Sequence, residues 1–198
     1  MKPIKKHRMK QKESNSNKRK ISAFFLDRDG VINQNAKEHD YIKTWKEFKF
    51  YSNTLDALKM IQKSKIPTFI ITNQRGISRQ LMNEDDLTDI HTKMLAEIIN
   101  YGGNIKEIYV CPHGHEDECK CRKPNPGMIL QAAKEHSINL DEAVLIGDTK
   151  SDILAGQAAG CKTVLVRTGH GDKQDVASWE IKPSYICKDL SSAVNLLI

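Results

Sequence analysis

Two acidic residues directly follow a short apolar segment near the beginning of the chain. Phe24–Leu26 runs into Asp27, Arg28, Asp29 and Gly30. A short apolar run of this kind is typical of a buried parallel strand, and parallel sheets bind their ligands beyond the carboxyl ends of the strands. Two carboxylates that repel each other give a buried strand no structural advantage, so the pattern favours a metal ion or a phosphoryl group. An Asp-Gly turn that carries a second aspartate by chance is the alternative.

Further polar clusters follow three later apolar segments: Thr72-Asn73, Arg122-Lys123, and Asp148 with Asp152. In a parallel sheet these strand ends lie along one edge, so residues far apart in sequence share one cleft. Asp27 and Asp148 are oxygen ligands of the kind that Mg²⁺ prefers. Thr72, Asn73 and Lys123 can donate hydrogen bonds to phosphate oxygens. The chain lacks the sequence G-x-x-x-x-G-K-[ST], which argues against a P-loop NTPase.

Three cysteines and a histidine have a spacing typical of a metal site: Cys111, His113, Cys119 and Cys121. Four such residues fill a tetrahedral shell completely, which predicts a structural Zn²⁺ without an open position for catalysis. His115 could replace His113 as a ligand, and a group of reduced thiols without metal is the other alternative. Because the loop runs directly into Arg122-Lys123, zinc would fix the position of these cations.

The basic charge of the chain is concentrated in its first residues. The 198 residues carry a formal net charge of +6, yet residues 1–20 hold seven Lys and two Arg against one acid, and the remainder is slightly acidic. We therefore expect a disordered tail, 1–20, and one domain, 21–198. The tail is either a solvated leader or a polyanion-binding segment, although it lacks aromatic residues for base stacking. Without an apolar signal segment or membrane span, the protein is expected to be cytoplasmic, and its five cysteines are not expected to form disulfides.

Predicted strands alternate with predicted helices along the domain. The strands are expected at 24–26, 68–71, 107–110, 143–146, 163–166 and, at the edge, 185–187. The helices are expected at 53–65, 83–101, 126–136, 151–159 and 190–197, the second with the apolar stripe Ile90, Met94, Ile98 and Tyr101. This alternation predicts an α/β fold of three layers, Rossmann-like, with helices on both faces of a parallel sheet.

The segments LDRDGVIN, FIITN, CRKP and GDTKSD resemble, in this order, the four motifs of the haloacid dehalogenase superfamily of phosphatases. The resemblance covers nearly all of the predicted domain and implies hydrolysis through an aspartyl phosphate. By this match Asp27 is the nucleophile, and Asp29 is the general acid and base. Thr72 and Lys123 would hold the transferring phosphoryl oxygens. Mg²⁺ would be bound by Asp27, Asp148 and the backbone carbonyl of Asp29.

The Cys/His loop, together with DRDGVIN, TNQ-x-GI-x-R, CRKPNPGM and VRTGHG, is similar to the D-glycero-D-manno-heptose 1,7-bisphosphate 7-phosphatases of bacterial heptose and lipopolysaccharide biosynthesis. The histidinol-phosphate phosphatases are close relatives that share the zinc loop, but NPGM and VRTGHG resemble the heptose group more. The match implies a small phosphorylated sugar as substrate, contacted by Asn73, Gln74, Arg75 and Arg122. Loops would cover the site, since no stretch between the motifs is long enough for a large cap domain.

Two features depart from the family pattern and concern the substrate. Arg75 stands where a small residue is expected, and is predicted either to meet an additional anionic group or to pair with a surface acid. The flap 34–41 is longer than usual and lacks the usual Gly before its Tyr. A polynucleotide 3′-phosphatase, suggested by the basic tail, is a further hypothesis. A non-enzymatic zinc-dependent binding module is another, but it leaves the strand-end clusters unexplained. We expect a monomer.

Overall fold

The computed structural model describes residues 21–37 and 40–198. The basic segment 1–20, which is predicted to be disordered, lies outside the described residues, as do Glu38 and His39 of the flap. Among the helices that are described, none is both long enough and apolar enough to cross a membrane.

The described residues form one sheet of six strands, all paired in parallel, in the order β3-β2-β1-β4-β5-β6. The strands are β1 (Phe24–Leu26), β2 (Thr68–Asn73), β3 (Glu107–Cys111), β4 (Val144–Gly147), β5 (Lys162–Val166) and β6 (Tyr185–Cys187). The predicted parallel α/β sheet is confirmed, and the main difference is that β2 continues through Asn73. β1 lies at the centre, so its carboxyl end is flanked by those of β2 and β4.

Five α-helices in the described ranges cover the two faces of the sheet: α1 (Thr54–Ser64), α2 (Glu84–Tyr101), α3 (Gly127–His136), α4 (Lys150–Ala158) and α5 (Leu190–Leu197). Apolar residues of α1, α2 and α5 share one core cluster with one face of the strands. Residues of α3 and α4 share a second cluster on the other face. The predicted three-layer architecture is therefore confirmed. Asn53 precedes α1 as expected, but its side chain makes no capping hydrogen bond.

Helix α2 begins and ends as its sequence predicts. The Asn83 side chain accepts a hydrogen bond from the backbone of Asp86, whose carboxylate accepts one from the backbone of Asn83, and Gly102 ends the helix in the left-handed conformation. Ile90, Met94 and Ile98 are buried, as expected. The prediction that Tyr101 continues this apolar stripe is wrong: the residue is 44% exposed, because its hydroxyl bonds Asp56 at the surface.

The segment between β1 and α1 folds over the carboxyl edge of the sheet. It is anchored by aromatic packing, with ring centroids 5.0 Å apart for Trp45 and Phe48 and again for Phe48 and Phe50. All three side chains pack on the core cluster that includes β1. The described residues thus contain a loop over the site but no large cap domain, as predicted.

Candidate active site

Asp27 and Lys123 form a buried ion pair at the carboxyl edge of the sheet. Asp27 directly follows β1, and the Nζ of Lys123 lies 2.8 Å from its Oδ1 and 2.6 Å from Oδ1 of Asp152. Nζ also donates to the carbonyl of Ile71, at 2.9 Å. Burial lowers the pKa of Lys123, but the carboxylates of Asp152 and Asp27 outweigh this effect and raise the pKa above its ordinary value. The structure therefore brings together two residues 96 positions apart in sequence and keeps the lysine charged.

The two carboxylate oxygens of Asp27 have different surroundings. Oδ1 binds Lys123 and also accepts a hydrogen bond from the backbone N–H of Arg28, at 2.7 Å. Oδ2 makes no hydrogen bond within the part of the chain that the structure describes. Burial raises the pKa of Asp27 to about 7, with the Lys123 cation opposing that shift. Oδ2 is thus the oxygen available to a ligand.

The carboxylates of Asp27, Asp148 and Asp152 form a group that fits a divalent cation. Oxygens of the three lie within 4.8 Å of one another. Oδ2 of Asp148 accepts a hydrogen bond from the backbone N–H of His170 at 2.7 Å, while its buried Oδ1 has no hydrogen-bond partner among the described residues. Burial, and then the carboxylates of Asp152 and Asp27, raise the pKa of Asp148 to about 8. A bound cation would relieve the repulsion between these carboxylates, and their hard oxygen donors are the ligands that Mg²⁺ takes.

The glycine after Asp29 is required by the packing around Asp148. Gly30 has a φ of +94°, and a Cβ at this position would lie 2.1 Å from Oδ2 of Asp148. Its carbonyl accepts a hydrogen bond from the hydroxyl of Thr168 at 2.6 Å. The Asp-Gly sequence therefore lets the loop after β1 pass close to both the end of β4 and the loop after β5.

Asp29 is held by a dense set of hydrogen bonds. The Nη2 of Arg28 donates to both of its oxygens at 2.9 and 2.8 Å, and the side-chain amides of Asn33 and Gln74 donate at 2.8 and 2.9 Å. Burial alone would raise the pKa of Asp29, but the Arg28 guanidinium and these hydrogen bonds hold it below its ordinary value. Asp29 is therefore a carboxylate at neutral pH in this arrangement.

The polar residues that end β2 hold other residues of the site. The Thr72 hydroxyl accepts a hydrogen bond from Nε2 of Gln74 at 2.8 Å, so its own proton is free for an acceptor. The Asn73 amide pairs with the backbone of Lys123 through two bonds of 3.1 Å. Gln74 also bonds Asp29 and accepts from Arg28 at 3.3 Å. These contacts favour a positioning role for Asn73 and Gln74, and their predicted contact with substrate stays a prediction.

The Cys/His loop brings four donor atoms into one cluster that could hold a metal ion: Cys111 Sγ, His113 Nδ1, Cys119 Sγ and Cys121 Sγ. Neighbouring donors are 3.3–3.6 Å apart. Metal–sulfur bonds of about 2.3 Å in a tetrahedron place sulfur atoms about 3.8 Å apart, close to these distances. His115 lies outside the group, with its Nε2 3.4 Å from Nη2 of Arg122, so His113 fills the fourth position.

Both predicted substrate-binding arginines contact the Cys/His loop. Nη2 of Arg75 lies 3.3 Å from a carboxylate oxygen of Glu116, so the structure shows the pairing with a surface acid that was one of the two expectations. Nη1 of Arg122 donates to the carbonyl of His113 at 3.0 Å. The loop is thus connected both to the end of β2 and to the segment that carries Lys123.

A cleft of about 440 Å³ opens beside these residues. Its lining comprises Asp29, Asn35, Ala36, Lys37, Asp40, Tyr41, Ile42, Asn73, Gln74 and His170. Three of the predicted site residues are among them, whereas Arg75 and Arg122 are not. The sequence analysis did not single out Lys37, Tyr41 or His170, although the first two belong to the flap and His170 to the VRTGHG segment. The flap and the VRTGHG segment were both identified from the sequence, but nothing in either segment showed which of its side chains face the cleft.

Comparisons with known proteins identify one family. The family model described as HAD-hydrolase-like matches residues 120–193. The D-glycero-beta-D-manno-heptose-1,7-bisphosphate 7-phosphatase of Bordetella bronchiseptica is 34% identical over 178 residues, which cover 90% of this chain and 98% of that protein. The D-glycero-alpha-D-manno-heptose-1,7-bisphosphate 7-phosphatase of Photorhabdus laumondii is 42% identical over 162 residues, covering 76% and 85%.

A solved structure shows the same likeness in three dimensions. The crystal structure of the D,D-heptose 1,7-bisphosphate phosphatase from B. bronchiseptica, complexed with magnesium and phosphate, matches with a TM-score of 0.84 at 33% identity. The match covers 89% of this chain and 98% of that one. The likeness therefore extends over most of this chain and nearly all of that one.

Proposed function

This chain belongs to the haloacid dehalogenase superfamily of phosphatases, in the group of the heptose bisphosphate phosphatases, and we propose that it removes the 7-phosphate of D-glycero-D-manno-heptose 1,7-bisphosphate. The named relatives support this substrate, and the buried Asp27–Lys123 pair beside Asp148 supports the chemistry. The substrate would place the reaction in sugar metabolism, on the route to a heptose of the cell surface.

In the proposed mechanism Asp27 is the nucleophile. Its Oδ2 attacks phosphorus and forms a phospho-aspartate, while the bond between phosphorus and the sugar oxygen breaks. Lys123, charged and 2.8 Å from Oδ1, opposes the effect of burial on the pKa of Asp27 and so favours the ionised nucleophile, and it would also meet a phosphoryl oxygen. The free hydroxyl proton of Thr72 would serve a second phosphoryl oxygen. A water molecule then attacks phosphorus, which releases phosphate and restores Asp27.

Asp29 is proposed to move the protons in both steps. It gives a proton to the departing sugar oxygen and takes one from the attacking water. Its ionised state in the structure suits the second step directly. For the first step it must gain a proton, and the arrival of a phosphate dianion raises its pKa by repulsion between like charges.

Mg²⁺ would be held by Asp27, Asp148 and the backbone carbonyl of Asp29. When bound, it would offset the repulsion between the Asp27 carboxylate and the phosphate and stabilise the charge of the transition state. The buried Oδ1 of Asp148, which has no hydrogen-bond partner among the residues that the structure describes, supports this assignment. Asp152 is engaged by Lys123 and by the backbone N–H of Thr149, so it holds the lysine in place.

We propose Zn²⁺ as the metal of the Cys/His cluster. Its four protein donors would leave no open position, so zinc would act on structure alone. Folding of the loop around zinc would fix His113, whose carbonyl binds Arg122, and the following Lys123. Zinc would thereby position the cation that pairs with the nucleophile.

The experiment that tests the substrate is phosphate release with Mg²⁺ from a panel of phosphate esters. The panel contains both anomers of heptose 1,7-bisphosphate, histidinol phosphate, fructose 1,6-bisphosphate and a 3′-phosphorylated oligonucleotide. We expect a preference of about a hundredfold for one heptose anomer, which corresponds to about 2.7 kcal/mol in the transition state. A comparable preference for histidinol phosphate or the oligonucleotide would overturn the proposed substrate but leave the chemistry.

The chemistry is tested by Asp27→Asn, with Asp89→Asn as the matched control. The first substitution removes the nucleophilic oxygen and should abolish turnover, whereas Asp89 is exposed and pairs with Lys93 on the surface of α2. Circular dichroism should show that both variants remain folded. Substantial phosphatase activity in Asp27→Asn would contradict the nucleophile assignment.

A further inference from the structure

Arg28, between the two aspartates of the first motif, is completely buried. A buried guanidinium must be paired, because an uncompensated charge in the interior is costly. Its Nη2 binds both oxygens of Asp29 and lies 3.3 Å from Oε1 of Gln74. Its Nη1 lies 3.1 Å from Nε2 of His91 and has no other hydrogen-bond partner in the described parts of the chain. Nη1 and Nη2 of the guanidinium therefore each have their own hydrogen-bond acceptors.

His91 can only be the acceptor in this contact. An arginine side chain has donors and no acceptor, so Nε2 of His91 must carry a lone pair and the ring must be neutral. Burial, and then the positive charge of Arg28, lower the pKa of His91 to about 3, in agreement with the neutral ring. His91 lies on α2, whose turns before and after it are held in the core by Leu87, Ile90 and Met94. The helix therefore presents a fixed acceptor to Arg28.

We infer that His91 is a positioning residue for proton transfer: it orients Arg28, and through Arg28 it sets the position of the Asp29 carboxylate. The inference rests on the proposed function, in which Asp29 protonates the departing sugar oxygen. The plane of a guanidinium is rigid, so an acceptor at Nη1 also fixes the direction of Nη2. Without that acceptor, Arg28 keeps its contacts with Asp29 and Gln74 through Nη2 but loses the contact at Nη1 that helps to restrict its rotation.

The test compares two substrates with different leaving groups. A heptose 1,7-bisphosphate needs a proton from Asp29 when its sugar oxygen departs, whereas 4-nitrophenyl phosphate releases a stable anion and does not. For both, kcat/KM covers only the steps up to release of this group. The variants are His91→Leu, which removes the acceptor, and His91→Gln, whose amide oxygen can replace it. Thr92→Leu, at the exposed neighbouring position, controls for a change in the helix.

Each rate is divided by the fraction of folded protein, which circular dichroism measures. His91→Leu should then lower kcat/KM for the heptose bisphosphate about tenfold, and kcat/KM for 4-nitrophenyl phosphate less than about threefold. His91→Gln should recover most of the loss, and Thr92→Leu should match wild type. An unchanged sugar reaction in His91→Leu, an equal loss on both substrates, or no recovery in His91→Gln would overturn the inference. A wild-type protein that cleaves neither compound would instead overturn the proposed function and, with it, this inference.

Discussion

The substitution Lys123→Met tests the charge balance of the site without depending on the substrate. The Lys123 side chain is 3% exposed and contacts Asp27, Asp152 and the carbonyl of Ile71. Methionine has a similar length and no charge, so the variant fills the same space but leaves two carboxylates without their cation. Its effect therefore measures electrostatics more than packing.

The expected loss of stability is large. Removing one partner of a buried ion pair costs about 3–5 kcal/mol, since the remaining charge is uncompensated. In a domain of this size each kcal/mol lowers the melting temperature by about 2–4 °C, so Lys123→Met should melt about 6–20 °C below wild type. The control is Lys93→Met, which breaks an exposed pair with Asp89 on α2 and should cost no more than about 0.5 kcal/mol.

Thermal unfolding followed by circular dichroism at pH 7, without added divalent cations, measures both variants. Divalent cations are left out because they would neutralise the two carboxylates that lose their lysine partner in the variant. If Lys123→Met melts as close to wild type as Lys93→Met does, the lysine does not hold the carboxylates together, and its proposed role beside the nucleophile is refuted as well.

Three further predictions concern other parts of the site. The contribution of His91 to stability should fall in acid: its pKa is about 3 in the fold and about 6.5 when unfolded, so this residue binds a proton in the unfolded state below about pH 6.5, and its share of the free energy of unfolding should fall by up to about 2 kcal/mol between pH 7 and pH 5. The raised pKa values of Asp27 and Asp148 act in the opposite direction, so the effect of His91 is measured as a difference between two variants. In urea unfolding at both pH values, the change from pH 7 to pH 5 should therefore be less favourable to the fold in wild type than in His91→Gln, by up to about 2 kcal/mol. Cys119→Ser should lose the bound metal, of which metal analysis should find about one equivalent of zinc in wild type. Gly30→Ala should destabilise the fold more than Gly160→Ala, because both glycines have a positive φ but only the first Cβ would collide with Asp148.

Each of these has a result that would contradict it. An equal acid dependence in wild type and His91→Gln would show that the ring is not buried as a neutral acceptor. Equal zinc content in wild type and Cys119→Ser would remove that cysteine from the metal site. Equal unfolding free energies for the two glycine variants would show that the loop after β1 can move away from Asp148.

Most of the fold could be predicted because its signals are local. The apolar segments that end in Asp27, Asn73 and Asp148 are short and continuous, as strands buried on both faces must be. Tyr101, which was wrongly predicted to be in the core, lies in the last turn of α2, where helical spacing continues but a surface hydrogen bond to Asp56 takes the side chain outward. Periodicity describes the direction of a side chain and does not show where the core ends.

The residues of the candidate site also divide into those that the sequence predicted and those that it did not. Asp27, Lys123 and Asp148 could be predicted, because residue type and the rule of parallel strand ends place them together. The cleft-lining Lys37 and His170 could not, since loops without periodicity do not reveal which side chains turn inward. Arg75 could be predicted only in part. The sequence showed a charged side chain near the site but left its partner open, and the structure shows that this partner is Glu116.

The sequence by itself determined the chemistry: which carboxylates, cations and thiols are present, and that parallel strands bring their carboxyl ends to one edge. Only the tertiary structure decided the state of each group. Asp27 and Asp148 have raised pKa values and Asp29 a lowered one, although all three are aspartates at strand ends. The physical reason is that a pKa depends on burial and on nearby charges. For Asp29 that charge is Arg28, and Arg28 is supported by His91, a helix residue 63 positions away that no motif contains.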